Sequence, residues 1–249
     1  MPTLSDIKSI DSLRRLNPCS PALREDLPES EILKWFEIAD AYWYHNGDSK
    51  NPHAELASGF CSNGYFSCPK LLKMPNINSI LAGQLAIQLV RFGVLGDGAE
   101  WVVGSSYSAI TFSYEVAKEL GLYHGYTQKD PKNPKKQVWK KFEIPEEATV
   151  LQIEELITTS NTFKAVRQAI REGNKNHVNF LPVIGTLVHR PPEKRACYIF
   201  DDEGEKVEAV VIALVEKEIW AVDPSDCPLC KAGSERYKPK ENWSKLTKK

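Results

Sequence analysis

Two kinds of apolar pattern alternate along most of this sequence. Segments with apolar residues at helical spacing are each followed by a glycine, and they predict helices over 77–92, 109–120 and 161–172. Short apolar runs rich in β-branched residues predict strands over 101–104, 122–126, 149–153, 178–188, 197–200 and 207–215. Strands that alternate with helices of this length form a parallel sheet covered by helices. We therefore predict an α/β fold.

Composition narrows the class of protein. The chain has 249 residues, of which 42% are hydrophobic, so it can bury a substantial core and is not disordered. The formal net charge of −1 lacks the basic excess of a typical nucleic-acid binder. No apolar run is long enough to span a membrane, and the N-terminus lacks a basic region followed by an apolar run. We expect a soluble, cytoplasmic protein that binds neither nucleic acid nor membrane.

Three segments lie outside the regular alternation. An apolar stripe from Ile32 to Tyr42 predicts a helix that Ser30 caps and that ends before the turn at 46–47. Residues 128–141 are rich in lysine and contain two prolines, which indicates an exposed loop or ribbon. The lysine-rich tail, 238–249, is expected to be loosely ordered.

The most informative stretch joins two carboxylates to a phosphate-binding pattern. The strand at 149–153 delivers Glu154 and Glu155 to its C-terminal edge, where ligands of open α/β sheets bind. The Thr/Ser/Asn-rich residues 158–162 then lead into a helix, whose free N–H groups and dipole favour a phosphate. Together they suggest a sugar-phosphate ligand, with or without Mg²⁺. The alternative is an ordinary helix cap beside two solvated glutamates.

This stretch resembles the phosphoribosyl-diphosphate (PRPP) motif of type I phosphoribosyltransferases, in which a strand and two acids precede Thr-Thr-Gly-Gly-Thr/Ser. Further blocks are similar, in the same order, to orotate phosphoribosyltransferases. They are a Ser-Gly…Tyr-Phe block at 56–66, a pyrophosphate loop at 102–110, a mobile loop and following strand within 128–142, a strand ending in arginine at 183–190, and a Cys-Pro-Leu-Cys…Lys-Pro ending at 226–239.

The resemblance implies a fold, a reaction and an assembly. The type I phosphoribosyltransferase fold has a central, mostly parallel sheet flanked by helices and a small N-terminal hood. It divides the chain into an arm, helix and hood (1–74), an α/β core (75–222) and a C-terminal segment with the Cys-x-x-Cys pair and the lysine-rich tail (223–249). The implied enzyme is a Mg²⁺-dependent pentosyltransferase, in which orotate displaces pyrophosphate from PRPP to give orotidine 5′-phosphate for pyrimidine biosynthesis. The family also suggests a homodimer.

The resemblance also assigns roles to residues of this chain. Lys129 would reach the pyrophosphate, and Glu154 and Glu155 would face the ribose hydroxyls. The remaining PRPP-binding residues would be Ser105, Ser106 and Tyr107 at the pyrophosphate, and Thr158, Thr159, Ser160, Asn161 and Thr162 at the 5-phosphate. The base would meet Ser58, Tyr65, Phe66 and Arg190. Simpler alternatives are core aromatics, a solvated strand end and a solvated lysine run.

Some positions depart from the family pattern. The pairs 160–161 (Ser-Asn) and 108–109 (Ser-Ala) stand where the family has glycines, which allow positive φ and close backbone approach. Ala57 and Phe60 stand where basic residues are usual, and Glu155 where aspartate is usual. These departures motivate a rival hypothesis: a protein of this fold that binds PRPP or a nucleotide without turnover, or an enzyme for another base.

Among the six cysteines, only Cys227 and Cys230 have a spacing typical of metal or redox sites. Structural zinc needs four ligands, and this pair supplies two. Dimerisation or Cys197 could complete a site, but no spacing indicates either. We interpret the pair as a structural turn with free thiols and keep zinc as the alternative. The histidines show no metal-ligand spacing and are expected to be structural or exposed; they are His45, His53, His124, His177 and His189.

Overall fold

The computed structural model describes residues 7–133, 136–159 and 161–247. The helices are α1 (Ile10–Arg14), α2 (Glu29–Ile38), α3 (Cys68–Leu72), α4 (Pro75–Phe92), α5 (Ala109–Leu120), α6 (Asn161–Gly173), α7 (Pro228–Lys231) and α8 (Trp243–Thr247), with a 3₁₀ turn at Pro21–Leu23. The strands are β1 (Tyr42–Tyr44), β2 (His53–Glu55), β3 (Cys61–Ser62), β4 (Gly64–Phe66), β5 (Ala99–Gly104), β6 (Tyr123–Tyr126), β7 (Gln128–Lys129), β8 (Gln137–Val138), β9 (Thr149–Ile157), β10 (Asn179–His189), β11 (Cys197–Asp202), β12 (Glu205–Glu216), β13 (Ala221–Val222) and β14 (Arg236–Tyr237).

A six-stranded sheet forms the centre of the protein, with the strand order β11-β12-β10-β9-β5-β6. All neighbours are parallel except β11, which runs antiparallel to β12 at one edge. Helices α4 and α5 pack on the sheet and on each other, and their apolar faces supply much of the main core. The predicted α/β class and mostly parallel sheet are confirmed.

Glycines end the two core helices where the sequence predicts. Gly93 follows α4 with a φ of 106°, and Gly121 follows α5 with a φ of 71°. Both lie in the left-handed region that glycine adopts without a steric penalty. The sharp reversals let each helix return directly to the next strand of the sheet.

A second, smaller sheet forms the hood and joins both ends of the chain. Its strand order is β13-β3-β2-β14. Strand β14 pairs in parallel with β2, placing Arg236 opposite His53, and β13 pairs antiparallel with β3. The N-terminal hood and the C-terminal segment are therefore built as one sheet. The division at residues 74 and 222 stays a prediction.

Helix α2 is shorter than its apolar stripe predicts. It ends at Ile38, and Asp40 adopts a φ of 50°, which turns the chain out of the helix. The N–H of Ala41 donates back to the Phe36 carbonyl at 2.8 Å. Tyr42 then enters β1, which pairs with β4 and stacks Tyr42 on Phe66. The apolar stripe is continuous in the sequence, but its last residue, Tyr42, belongs to strand β1 and not to the helix.

The lysine-rich segments also acquire structure. Strands β7 and β8 pair as a short antiparallel ribbon, in agreement with the loop or ribbon predicted at 128–141. The tail was expected to be loosely ordered, yet its described part includes α8, whose Leu246 is buried. Burial of that side chain fixes the tail against the hood side of the protein. No helix in the described ranges combines the length and apolar character needed to cross a membrane.

Leu85 tests the packing of α4 on the sheet. It is fully buried and faces Gly185 of β10. Because Leu85→Ala leaves a cavity between helix and sheet, it should lower the free energy of unfolding by about 2–5 kcal/mol. Val90→Ala on the exposed side of α4 should change it by less than about 0.5 kcal/mol. Urea unfolding measures both, and equal effects would contradict this packing.

Candidate active site

Glu154 lies at the centre of the site, on the C-terminal half of β9. Its carboxylate is 2% exposed and accepts a hydrogen bond of 2.6 Å from the Ser105 hydroxyl, which follows directly after β5. Burial raises the pKa of Glu154 to about 8, and this effect outweighs the opposing contributions of Ser105 and Lys129. Near neutral pH the buried carboxyl therefore holds a proton.

Glu155 extends the acidic group at the same end of β9. Burial raises its pKa as well, whereas a hydrogen bond from Ser108 and the nearby Lys129 ammonium lower it. Its backbone carbonyl accepts a hydrogen bond of 3.4 Å from the thiol of Cys68. The sequence places both acids at a strand end. In the structure β9 continues to Ile157, so they lie within a rigid strand.

Lys129 reaches this site from the β7–β8 ribbon. The Gln137 amide lies beside three polar side chains, and one orientation satisfies all of them. In it, the amide nitrogen donates to Ser106 Oγ at 3.0 Å and Thr127 Oγ1 at 2.9 Å, and the amide oxygen accepts from Lys129 Nζ at 3.1 Å. The ribbon is thus fastened to the loop after β5, and the lysine is held close to both glutamates.

The loop between β5 and α5 has a conformation that does not depend on glycine at positions 108 and 109. Ser108 has φ −70° and ψ −31°, and Ala109 is the first residue of α5. Both conformations are open to any L-residue. The Ser106–Tyr107 peptide bond is cis, and the Tyr107 side chain is 71% exposed. Ser105 and Ser106 are buried.

The turn after β9 leads directly into α6. Thr158 is half-buried, and its carbonyl accepts a hydrogen bond of 3.3 Å from the Tyr198 hydroxyl. Thr159, Asn161 and Thr162 are exposed, and the last two begin α6. Ser160 lies outside the described residues. The free N–H groups at the start of this 13-residue helix favour an anion.

A cavity of about 530 Å³ opens beside this turn. Its wall is formed by the segments that follow β9 and β10, by the hood and by the tail. The lining residues are Leu56, Ala57, Ser58, Phe60, Tyr65, Thr158, Thr159, Arg190, Pro192, Ile219, Ala221 and Lys240. The site therefore has a polar turn on one side and a largely apolar cavity on the other.

Arg190 lines this cavity and has a buried, unsatisfied donor. Its Nε is buried and has no hydrogen-bond partner among the described residues. Burial lowers the pKa of its guanidinium. Its backbone N–H donates to the Ile157 carbonyl at 2.8 Å, which fixes Arg190 next to the end of β9. A buried, unpaired donor of this kind is costly unless a ligand accepts from it.

The structure separates the two aromatic residues expected at the base. Tyr65 lines the cavity and lies 6.2 Å from the Trp243 ring of α8. Phe66 is instead buried in the core, edge-on to Phe36 at 5.1 Å and stacked on Tyr42 at 4.5 Å. Neighbouring residues on a strand point to opposite faces, which explains the separation.

Lys240 is a charged cavity residue that sequence reasoning missed. It lines the cavity from the lysine-rich tail, where no pattern distinguishes one lysine from the next.

The predicted Cys227–Cys230 pair lies away from this cavity lining, in the hood. There it adjoins His53 and Cys61, whereas Cys197 lies on strand β11.

The raised pKa of Glu154 has a measurable consequence for stability. Between its ordinary pKa of 4.5 and about 8, the folded protein holds a proton that the unfolded chain has released. The free energy of unfolding should therefore fall as pH rises through this window. Glu154→Gln removes this titration, so the wild type should lose stability more steeply, by up to about 1.4 kcal/mol per pH unit. Urea unfolding at several pH values measures both proteins. If their free energies of unfolding changed equally with pH across this window, the raised pKa of Glu154 would be contradicted.

Comparison with known proteins identifies relatives over most of the chain. No protein-family model matches the sequence. Orotate phosphoribosyltransferase from Pelotomaculum thermopropionicum is 31% identical over 199 residues, covering 80% of this chain and 94% of the relative. The enzyme of the same name from Desulforamulus reducens is 30% identical over 203 residues, covering 82% and 95%.

A solved structure supports the fold. UMP synthase from Leishmania donovani superimposes with a TM-score of 0.52 at 17% identity, covering 77% of this chain and 37% of that one. At this identity the likeness concerns the fold alone. The sequence relatives span nearly their whole length and four-fifths of this chain. On that coverage and identity, this chain belongs to the orotate phosphoribosyltransferase family.

Proposed function

We propose that this protein is an orotate phosphoribosyltransferase, which joins orotate to the ribose of PRPP and releases pyrophosphate. The observation that carries the proposal is Arg190, a cation with a buried, unpartnered Nε, which lines a cavity that adjoins the turn before α6. This arrangement offers one subsite for a planar anionic base and another for a phosphate. Membership of the family supports the same reaction.

The turn and the two glutamates fit a ribose phosphate. The N–H groups at the start of α6 and the hydroxyls of Thr158 and Thr159 would hold the 5-phosphate. Glu154 and Glu155 would then face the ribose hydroxyls, which donate hydrogen bonds to carboxylate oxygens. The ionised form of glutamate accepts such bonds best. Binding of the ribose phosphate is therefore expected to make Glu154 release its proton.

The cavity fits orotate. Orotate is a flat ring with a carboxylate, and its anionic edge would pair with Arg190. Lys240 supplies a second positive charge to the same cavity, where Ala57 and Phe60 provide apolar wall. Lys240 thus adds a positive charge that Ala57 and Phe60 do not supply, beside Arg190, which follows β10 and matches the arginine of the family pattern. Tyr65 offers its ring to the flat face of the base.

Lys129 and the loop after β5 fit the departing pyrophosphate. Negative charge grows on the pyrophosphate oxygens as the bond to the ribose breaks. A preorganised cation and backbone N–H groups stabilise that charge most when water is excluded. Lys129 is held near the glutamates by the Gln137 amide, and it would turn to the pyrophosphate, with Ser105, Ser106 and Tyr107 presenting backbone.

The acidic pair also fits Mg²⁺. Carboxylate oxygens are donors that Mg²⁺ prefers, and it commonly binds through one or two of them together with substrate phosphates. The raised pKa of Glu154 indicates that a negative charge there lacks enough positive compensation. Glu154 and Glu155 are therefore the residues that would hold the ion. When bound, Mg²⁺ would neutralise charge on the pyrophosphate. A homodimer stays a prediction from the resemblance, and a cytoplasmic location stays a prediction from the composition of the sequence.

The proposal is tested by following orotate absorbance with the purified protein. The signal should fall only when Mg²⁺, PRPP and the protein are all present. Inactivity with orotate and with every other nucleobase would contradict the proposed enzyme. Turnover of another base alone would contradict the choice of orotate.

Arg190→Gln tests the base subsite in the same assay. Loss of a charge-assisted hydrogen bond costs about 1.5–3 kcal/mol, so kcat/KM for orotate should fall by about 10- to 150-fold. The KM for PRPP should change little, because the substitution leaves unchanged the turn before α6, which would bind the 5-phosphate. Arg15→Gln is the matched control, since Arg15 is exposed and lines no part of the cavity. Equal activity of the Arg190→Gln and Arg15→Gln variants would contradict a contact between Arg190 and the base.

A further inference from the structure

Four potential metal ligands meet in the hood, although they come from two distant parts of the sequence. His53 lies on β2 and Cys61 on β3, while Cys227 and Cys230 bracket the first turn of α7. The His nitrogen and the three sulfur atoms all lie within 4.8 Å of one another. His53, Cys61 and Cys227 are fully buried, and Cys230 is partly exposed.

Three of the six separations between these atoms are close to the edges of a tetrahedral zinc site. Zn–S bonds near 2.3 Å and Zn–N bonds near 2.0–2.1 Å place two sulfurs about 3.8 Å apart, and a sulfur about 3.6 Å from a nitrogen. In the structure, Cys61 Sγ lies 3.6 Å from Cys230 Sγ. His53 Nε2 lies 3.6 Å from Cys227 Sγ and 3.4 Å from Cys230 Sγ. The distances suit ligands around a common ion.

His53 is held with one ring nitrogen free for a ligand. Its Nδ1 lies 2.8 Å from Ser234 Oγ, and the Ser234 hydroxyl donates to the Asn51 carbonyl at 2.7 Å. Because that hydroxyl proton is committed to Asn51, Ser234 accepts from Nδ1–H. Nε2 is then the unprotonated nitrogen, and it faces the sulfurs. An outer hydrogen bond that fixes the tautomer in this way is typical of metal-bound histidines.

The three cysteines are free thiols in the structure. The 3.6 Å between Cys61 and Cys230 is far longer than a disulfide bond of about 2.05 Å. The backbone N–H of Cys230 points at Cys227 Sγ at 3.4 Å, and the Arg236 guanidinium approaches Cys61. Three thiolates and one neutral imidazole around Zn²⁺ leave a net charge of −1, which Arg236 would balance.

We propose that His53, Cys61, Cys227 and Cys230 bind one structural zinc ion. All four positions are filled by protein, so the ion has no open position for catalysis. It would fasten the turn at α7 to strands β2 and β3, beside the pairing of β14 with β2. That fastening holds the C-terminal segment, from which Lys240 reaches the cavity. This inference does not depend on the proposed reaction.

The metal content of the wild-type protein is the direct test. Tag-free protein, produced with zinc in the medium and purified without chelator, should contain about one zinc ion per chain by elemental mass spectrometry. Protein reloaded with Co²⁺ should show the intense visible bands of tetrahedral cobalt and a thiolate charge-transfer band. Metal-free protein that takes up neither ion, or a disulfide among these cysteines, would overturn the proposal.

Substitutions identify the ligands. Cys227→Ser and His53→Ala should each lower the zinc content at least tenfold after dialysis against a weak chelator. Cys197→Ser, on the edge strand β11, should retain the wild-type zinc content. Because a ligand variant can fail to fold, the cobalt spectrum of the wild type is the independent measurement. Full zinc retention in a folded Cys227→Ser variant would contradict the assigned ligand set.

Discussion

The register of three parallel strands is the constraint on which the whole site depends. Gly104 on β5 lies opposite Ile153 on β9, so Ser105 comes beside Glu154 and donates to it. His189 on β10 lies opposite Ile157, so Arg190 comes beside the turn that leads into α6. Parallel strands end at one edge, and this edge therefore brings together the two glutamates, the turn before α6 and Arg190.

The sequence predicts the parts of this arrangement that depend on local pattern. The helices that end at Gly93 and Gly121 and the buried strand before Glu154 follow from periodicity and from the conformational freedom of glycine. Contacts between distant segments are not encoded in any local pattern. Lys240 reaches the cavity, and His53 meets Cys227, only because the two ends of the chain pair in the hood sheet.

The structure also removes part of the argument for a protein that binds without turnover. That argument began from Ser108 and Ala109, which replace the usual glycines of the pyrophosphate loop. Both have right-handed backbone conformations, so the loop is formed without glycine there. Arg190 and Lys240 both line the cavity that includes Ser58, so this cavity has positive charge although Ala57 and Phe60 carry none.

A crystal structure with Mg²⁺, PRPP and a non-reactive orotate analogue tests the central claim most directly. We expect the 5-phosphate at the start of α6, the ribose hydroxyls at Glu154 and Glu155, and the analogue's carboxylate on Arg190. Density for the ligands elsewhere would contradict it. One such place is the groove lined by Tyr107 and Tyr114.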